Sequence, residues 1–175
     1  VVFHMDTDEI TKIATDAADL IYEMSQPLIQ EGMNLRFEYS PESFMGTEMD
    51  YAVEICQAVL EHLHADPEHK VILNLPTTVE NCMPNQFADM LEYFCKKIPG
   101  RDSAIISLHP HNDRGTAVAA GQELCDLQPG VFLHQAAGRA GCQQTVLFQN
   151  MAIRHTKLHH QLLFGVMGYQ CNRHR

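Results

Sequence analysis

The chain has 175 residues, of which 45% are apolar, and a formal net charge of -10. This length and composition suit one soluble globular domain with a sizeable core and exclude a wholly disordered chain. No apolar run reaches the roughly 18 residues of a membrane-spanning helix. The negative charge argues against a nucleic-acid-binding surface.

The charges are distributed unevenly along the chain. All 22 acidic residues lie at or before Asp126, whereas residues 127–175 contain five basic residues and no acidic one. Surfaces of soluble domains normally mix both signs. One interpretation is a basic tail that binds RNA or an acidic partner. The other is a segment that does not belong to the same reading frame.

The N-terminal residues and the cysteines indicate what kind of polypeptide the chain comes from and in which compartment it lies. The chain begins Val1-Val2-Phe3, with no initiator Met and no signal-peptide pattern, so we expect an internal piece of a longer polypeptide. Its six cysteines include no C-x-x-C pair. We therefore expect reduced, mostly buried thiols in a cytosolic protein.

In chain order, the first predicted element is a helix over residues 7–29. Asp6 can cap it, and Glu9, three residues later, completes a capping-box pattern. A strand with alternating apolar side chains is predicted at 34–39. For the helix over residues 7–29, helical spacing predicts a buried face formed by Ile10, Ile13, Ala14, Ala17, Ala18 and Ile21.

Two further βα units follow. A second helix is predicted from about Thr47, with Asp50 helping to cap it. The apolar run at 71–75 is typical of a parallel strand that is covered on both faces. Pro84 suits the first turn of a third helix, and residues 103–108 form another predicted buried strand.

Strands and helices that alternate in this way predict a parallel α/β sheet. An open doubly wound sheet and a closed (β/α)8 barrel both fit, but no glycine-rich nucleotide-binding motif follows a strand. A barrel usually needs about 250 residues, so the chain is predicted to hold a partial (β/α)8 TIM barrel of three to four βα units. From about residue 128 the pattern becomes irregular.

The sharpest chemical feature is the run from Ser107 to Gly115 at the end of a buried strand. In extended backbone, the His109 and His111 side chains point to the same side, so both imidazoles can reach one cation. Barrel enzymes place catalytic groups at this end of a strand. Alternatively, the histidines belong to a turn and only hydrogen-bond to their neighbours.

Polar residues also follow the two earlier strands. Ser40 and Glu42 would lie on the same rim as the histidines, where a carboxylate can move a proton. Capping of the next helix is the simpler role for Glu42. Thr77 and Thr78 can hold a substrate carboxylate, although such threonines more often cap a helix or close a turn.

Three segments together resemble the bacterial, long-chain type of 2-isopropylmalate synthase. They are residues 36–44 (RFEYSPESF), 74–80 (NLPTTVE) and 107–115 (SLHPHNDRG), and the similarity extends from about Val1 to Ala120. The resemblance implies a cytoplasmic, homodimeric acyltransferase with a (β/α)8 catalytic barrel. That enzyme joins acetyl-CoA to 3-methyl-2-oxobutanoate in leucine biosynthesis and releases 2-isopropylmalate and CoA.

The resemblance also implies roles for individual residues. His109 and His111 match ligands of a divalent metal ion (Zn, Mg or Mn). Thr78 matches the residue that binds the ketoacid carboxylate. Ser40 and Glu42 match the substrate-side pair, and Glu42 is the candidate for proton transfer when acetyl-CoA is enolised.

The chain departs from the family in two places. The Arg-Asp pair of the family's first strand, whose Asp binds the metal, belongs to a region that precedes Val1 here, and nothing after Gly121 matches the family's G-N-G-E-R-T-G-N segment. We therefore predict a partial catalytic barrel at 1–121 and an atypical tail at 122–175, read out of frame or misassembled. A genuine divergent tail is the alternative, and we expect these 175 residues alone to be inactive.

Three other functions stay open at this point. A homocitrate or citramalate synthase, or an aldolase or lyase of the same barrel type, would share the H-x-H motif and the metal. The chain could instead be a non-enzymatic remnant. The tail histidines His155, His159 and His160 could form a metal- or RNA-binding module, but no carboxylate accompanies them.

Overall fold

In the computed structural model, residues 5–121 are described in full, and after them the backbone of three strands at 131–133, 137–138 and 163–166. The predicted alternation of helices and strands is confirmed. The helices are α1 (Thr7–Gln30), α2 (Met49–His62) and α3 (Pro84–Lys97), and residues 117–121 are also helical. The strands are β1 (Arg36–Tyr39), β2 (Val71–Pro76), β3 (Ala104–His109), β4 (His111–Asn112), β5 (Val131–Leu133), β6 (Ala137–Gly138) and β7 (Leu163–Val166).

Five of these strands form one parallel sheet in the order β5-β3-β2-β1-β7. In its centre, Tyr39 pairs with Leu73, and Asn74 pairs with Ser107. β4 and β6 form a separate parallel pair. Because β1, β2 and β3 are adjacent and parallel, their carboxyl ends lie at one edge, as in a (β/α)8 barrel.

Helix α1 begins as its sequence predicts. The Asp6 carboxylate accepts a hydrogen bond from Glu9 N at 2.9 Å, and Asp6 N donates to the Glu9 carboxylate at 3.0 Å. Five of the six predicted core residues are buried or half-buried, but Ile13 is 49% exposed. At 100° per residue, Ile13 lies about 140° around the helix from the fully buried Ala18, so it faces away from the sheet.

Helix α2 begins two residues later than predicted. Its N-terminal cap is Glu48, whose side chain makes no capping bond. The prediction that Asp50 caps this helix is wrong: its carboxylate accepts a hydrogen bond from Tyr93 Oη at 2.6 Å. Asp50 already has helical backbone, and its side chain therefore ties α2 to α3 instead of to its own N-terminus.

The core lies between the sheet and the helices, with an aromatic cluster on α3. Pro84 opens α3, as predicted, and Phe87 and Phe94 are buried on its inner face. Phe44, in the short turn between β1 and α2, is fully buried and meets both rings edge to face at 6.3 Å and 5.5 Å. This turn therefore anchors the segment that follows β1.

Three of the six cysteines lie among the described residues, and all three are free thiols. Cys56 and Cys95 are buried, as expected, while Cys82 is half-buried. Burial raises the pKa of the Cys56 thiol. Within the described part of the chain, no helix combines the length and the apolar character needed to cross a membrane.

Candidate functional site

The predicted site residues lie where the three central strands end. Ser40 and Glu42 follow β1, and Thr78 follows β2. His109 is the last residue of β3, and His111 the first of β4. The structure thus brings all five to the same edge of the sheet, and direct contacts link the neighbouring loops.

The first contact joins the loops after β1 and β2. Thr78 Oγ1 donates a hydrogen bond to Glu42 Oε2 at 3.0 Å. Ser43, whose φ of 58° turns the chain, points its backbone N–H at the same carboxylate oxygen at 3.3 Å. The interpretation of Glu42 as a helix cap is therefore wrong, because α2 begins seven residues further on, at Met49.

Ser40 makes a different contact. Its hydroxyl donates to the backbone oxygen of Asn74 at 2.9 Å. Asn74 is 3% exposed, and its Oδ1 has no hydrogen-bond partner among the described residues. Leu73 and Leu75 face the helices, so Asn74 faces the opposite side of the sheet. A buried amide oxygen without a partner is costly and suits a ligand that donates to it.

Asn74 is not among the site residues predicted from sequence. The signal was present, since it is the one polar residue in the apolar run at 71–75. Asn74 pairs with the buried Ser107 of β3, and its backbone oxygen accepts a bond from Ser40, which follows β1. These three polar residues form a row across the neighbouring strands. This row lies next to the rim that carries Glu42.

The two imidazoles lie side by side. The ring centres of His109 and His111 are 5.2 Å apart, and their planes are tilted by 39°. Two imidazoles on one tetrahedral ion, with metal–nitrogen distances of about 2.1 Å, would place their ring centres roughly 5 Å apart. The pair therefore fits a shared divalent ion. Among the described residues, no group of three His, Cys, Asp or Glu side chains forms a ligand set.

The surroundings of His111 bear on which nitrogen would bind the ion. Its Nδ1 lies 3.4 Å from Asp113 Oδ2 and 3.4 Å from the backbone N of Val79. Because Nδ1 accepts a hydrogen bond from Val79 N, the ring proton of the neutral imidazole lies on Nε2 in this structure. In the other tautomer Nδ1 would donate to Asp113 instead, and Nε2 would be free for a metal. Such a carboxylate partner orients the ring and raises the basicity of the ligand.

Thr77 closes the turn that carries the histidines. The backbone N of His111 donates to Thr77 Oγ1 at 2.7 Å, and Thr77 N donates to the His109 oxygen at 3.1 Å. Thr77 is buried. Thr77 therefore closes a turn, which is one of the roles that the sequence leaves open for it. The Thr78 hydroxyl faces Glu42 instead.

Glu80 is a second residue that the sequence analysis missed. Its side chain is buried, and its backbone φ of 47° lies in the left-handed region, as does that of Val79 at 56°. One carboxylate oxygen accepts from Arg114 N, and the other from the hydroxyl and the N of Thr116. These partners are 34 and 36 residues away along the chain, so no local pattern signals them.

Glu80 should make folding stability depend on pH. Burial raises the pKa of its carboxyl, but hydrogen bonds from Thr116 and Arg114 outweigh burial and lower it below 4.5. The stabilisation is thus complete above the unfolded-state pKa and is lost as pH falls through the folded-state value. We expect the free energy of unfolding to fall below about pH 4.5, and to fall less steeply in Glu80→Gln.

Urea titrations between pH 3 and pH 6 measure this difference. The matched control is Asp102→Asn, which alters a carboxylate outside these contacts and should keep the wild-type slope. Equal slopes in the wild type and Glu80→Gln would contradict the expectation.

Comparison with known proteins gives one family and a group of relatives. The model of a family described as HMGL-like matches residues 1–131. The 2-isopropylmalate synthase of Brucella suis biovar 1 is 53% identical over 120 residues, which are 69% of this chain and 21% of that protein. The synthase of Rhodospirillum rubrum is 52% identical over 122 residues, 70% of this chain and 22% of that protein. The chain thus spans about a fifth of the length of these curated relatives.

Proposed function

Since the chain belongs to the HMGL-like family, we propose that it forms the central part of the catalytic barrel of a 2-isopropylmalate synthase. The proposed substrates are acetyl-CoA and 3-methyl-2-oxobutanoate. The observation that carries the proposal is the contact between Glu42 and Thr78 on the edge that also holds the His109–His111 pair. One edge thus offers a base, a hydroxyl donor and two metal ligands.

His109 and His111 are the proposed metal ligands in this part of the chain. Two imidazole ligands suit Zn better than Mg or Mn, which prefer oxygen ligands. The chemistry that a divalent ion held by these two histidines would supply is Lewis-acid polarisation of the ketoacid carbonyl. In the tautomer with the proton on Nδ1, Asp113 would orient the His111 ring and Nε2 would face the ion, in place of the bond that Nδ1 accepts from Val79 N in this structure.

Glu42 and Thr78 have complementary roles in the proposed reaction. The Glu42 carboxylate removes a proton from the methyl group of acetyl-CoA, and the resulting enolate carbon bonds to the carbonyl carbon of the ketoacid. The new alkoxide takes up a proton, and water then cleaves the thioester to release CoA. Thr78 Oγ1, which donates to Glu42 in this structure, turns to the ketoacid carboxylate. Ser40 and the Asn74 amide line the substrate side.

We further propose that the whole protein is a cytoplasmic homodimer. The proposed boundaries are a partial barrel at 1–121 and a tail at 122–175 that does not follow the family. The tail histidines His155, His159 and His160 lie outside the described residues, as does most of the tail.

A chimera tests the proposed function. The matching segment of the Brucella suis synthase is replaced by residues 1–120 of this chain, and CoA release is followed with a thiol reagent. We expect turnover with 3-methyl-2-oxobutanoate at least about tenfold more efficient than with pyruvate or 2-oxoglutarate. A preference for either of the latter would point to a citramalate or homocitrate synthase and would contradict the proposal.

Replacing Thr78 by valine in this chimera should weaken ketoacid binding. The change keeps the shape of the side chain but removes the hydroxyl that would donate to a charged carboxylate. Such a bond contributes about 1.5–3 kcal/mol, so we expect KM for the ketoacid to rise roughly 10- to 100-fold. Thr78→Ser, which keeps the hydroxyl, is the matched control. A KM unchanged in Thr78→Val would remove Thr78 from the site.

A further inference from the structure

The loop after the histidines is fastened by a single buried carboxylate. We propose that Glu80 is a positioning residue that holds residues 113–116 in place and thereby fixes His111 for metal binding. The inference rests on the proposed function, since it assigns a role within the same site. The Glu80 carboxylate bonds to Arg114 and Thr116, so it would act through the chain segment that follows the imidazoles.

The contacts form a two-way clamp. The Glu80 carboxylate accepts from the backbone N of Arg114 and of Thr116, the latter at 3.1 Å. In return, Arg114 Nη1 donates to the backbone oxygen of Glu80 at 3.0 Å. Thr116 directly precedes the helical residues 117–121, so the clamp also fixes the start of this segment.

The backbone at Glu80 links this clamp to the ring of His111. Both Val79 and Glu80 have left-handed backbone, which is costly for a β-branched residue such as valine. Residues in this conformation persist only where the surrounding structure fixes them. Here the turn points Val79 N at His111 Nδ1 and the Glu80 carboxylate at the loop beyond it.

Because Glu80 is buried, its carboxylate depends on the hydrogen bonds of the clamp. Glu80 is 2% exposed, so its charge is compensated by the donors of Arg114 and Thr116 and not by bulk water. Removing the charge would leave the N–H groups of Arg114 and Thr116 with a poorer acceptor, and the loop would relax. The backbone of His111 would keep its bond to Thr77 and its pairing with β6, but its ring would lose the position that Val79 N and Asp113 give it.

Zn²⁺ binding to the full 175-residue chain, measured by isothermal titration calorimetry, tests this role. Glu80→Gln keeps the shape but presents an amide NH₂ to a backbone donor. We expect it to weaken Zn²⁺ affinity about tenfold, the lower end of the effect of residues that orient metal ligands. Thr116→Val should weaken it less, and Thr116→Ser should restore the wild-type affinity.

Two control variants separate this role from general destabilisation and from failure of the proposed site. Val59→Ala creates a cavity in the core, distant in sequence from the clamp, and should leave Zn²⁺ affinity unchanged. His109→Ala should lose binding. If it does and Glu80→Gln binds like the wild type, the clamp inference is wrong and the proposed function stands. If His109→Ala binds like the wild type, the proposed metal site itself is wrong.

If Glu80→Gln loses its near-ultraviolet circular dichroism signal, it has lost its native packing and cannot test the clamp. The comparison of Thr116→Val with Thr116→Ser then tests the inference. Thr116→Val removes one hydroxyl from the clamp and leaves the Glu80 charge in place. Weaker Zn²⁺ binding in Thr116→Val than in Thr116→Ser supports the inference, and equal binding overturns it.

Discussion

Replacing His109 by alanine in the chimera is expected to lower kcat/KM by roughly a thousandfold. His109 is one of two imidazoles that the structure places 5.2 Å apart at the end of β3. Without it, a divalent ion keeps one imidazole from this segment and loses its fixed position beside the ketoacid. Lewis-acid activation contributes several kcal/mol of transition-state stabilisation, and each 1.4 kcal/mol is about a factor of ten.

The matched control is His69→Ala. His69 is exposed and pairs with Asp66 at 3.1 Å in the loop before β2, at the other end of the sheet. Its loss should leave turnover within about twofold of the parent chimera, as expected for an exposed surface residue. Metal-dependent turnover that survives His109→Ala would remove this histidine from the ligand set.

The second large effect concerns stability. Phe44→Ala is expected to lower the free energy of unfolding by about 3–5 kcal/mol, the range for buried aromatic residues. Phe44 is fully buried, and its ring meets Phe87 and Phe94 edge to face. Because Phe44 follows Glu42 by two residues, its loss should also loosen the segment that presents the proposed base.

Urea unfolding followed by circular dichroism measures this change. Phe44→Leu keeps most of the volume and should cost about 1–1.5 kcal/mol. Met24→Ala, at a side chain that is 67% exposed on α1, should change stability by less than about 0.5 kcal/mol. A loss below about 1 kcal/mol in Phe44→Ala would show that the aromatic cluster does not hold the turn.

Features with a local signal could be predicted from sequence. The Asp6–Glu9 capping box and Pro84 at the start of α3 follow from residues within one helical turn, and both are confirmed. The three central strands were predicted within two residues of their observed bounds. Their parallel order followed from the alternation with helices.

Features that depend on distant residues could not be predicted in the same way. The sequence leaves Glu42 either a helix cap or a site residue, and its contact with Thr78, 36 residues away, cannot be read from local spacing. Asp50 likewise bonds to Tyr93 across two helices. Glu80 acquires its buried partners only when the loops after β2 and β3 meet. Each contact requires the register of the sheet to be known.

The latter part of the chain is a separate question. The family match extends to residue 131, close to the predicted boundary at 121, and the boundary stays a prediction. Three short strands are described beyond it, two of which extend the main sheet. The roles of the five site residues also stay predictions, although all five lie at the edge where the segments after β1, β2 and β3 contact one another.

The most direct measurement is a crystal structure of the chain soaked with Zn²⁺, with anomalous scattering to locate the ion. We expect one ion within about 2.1 Å of a ring nitrogen of both His109 and His111, on the side of the rim where Glu42 and Thr78 lie. An ion bound elsewhere, or the two imidazoles turned to opposite faces of the sheet, would contradict the proposed site.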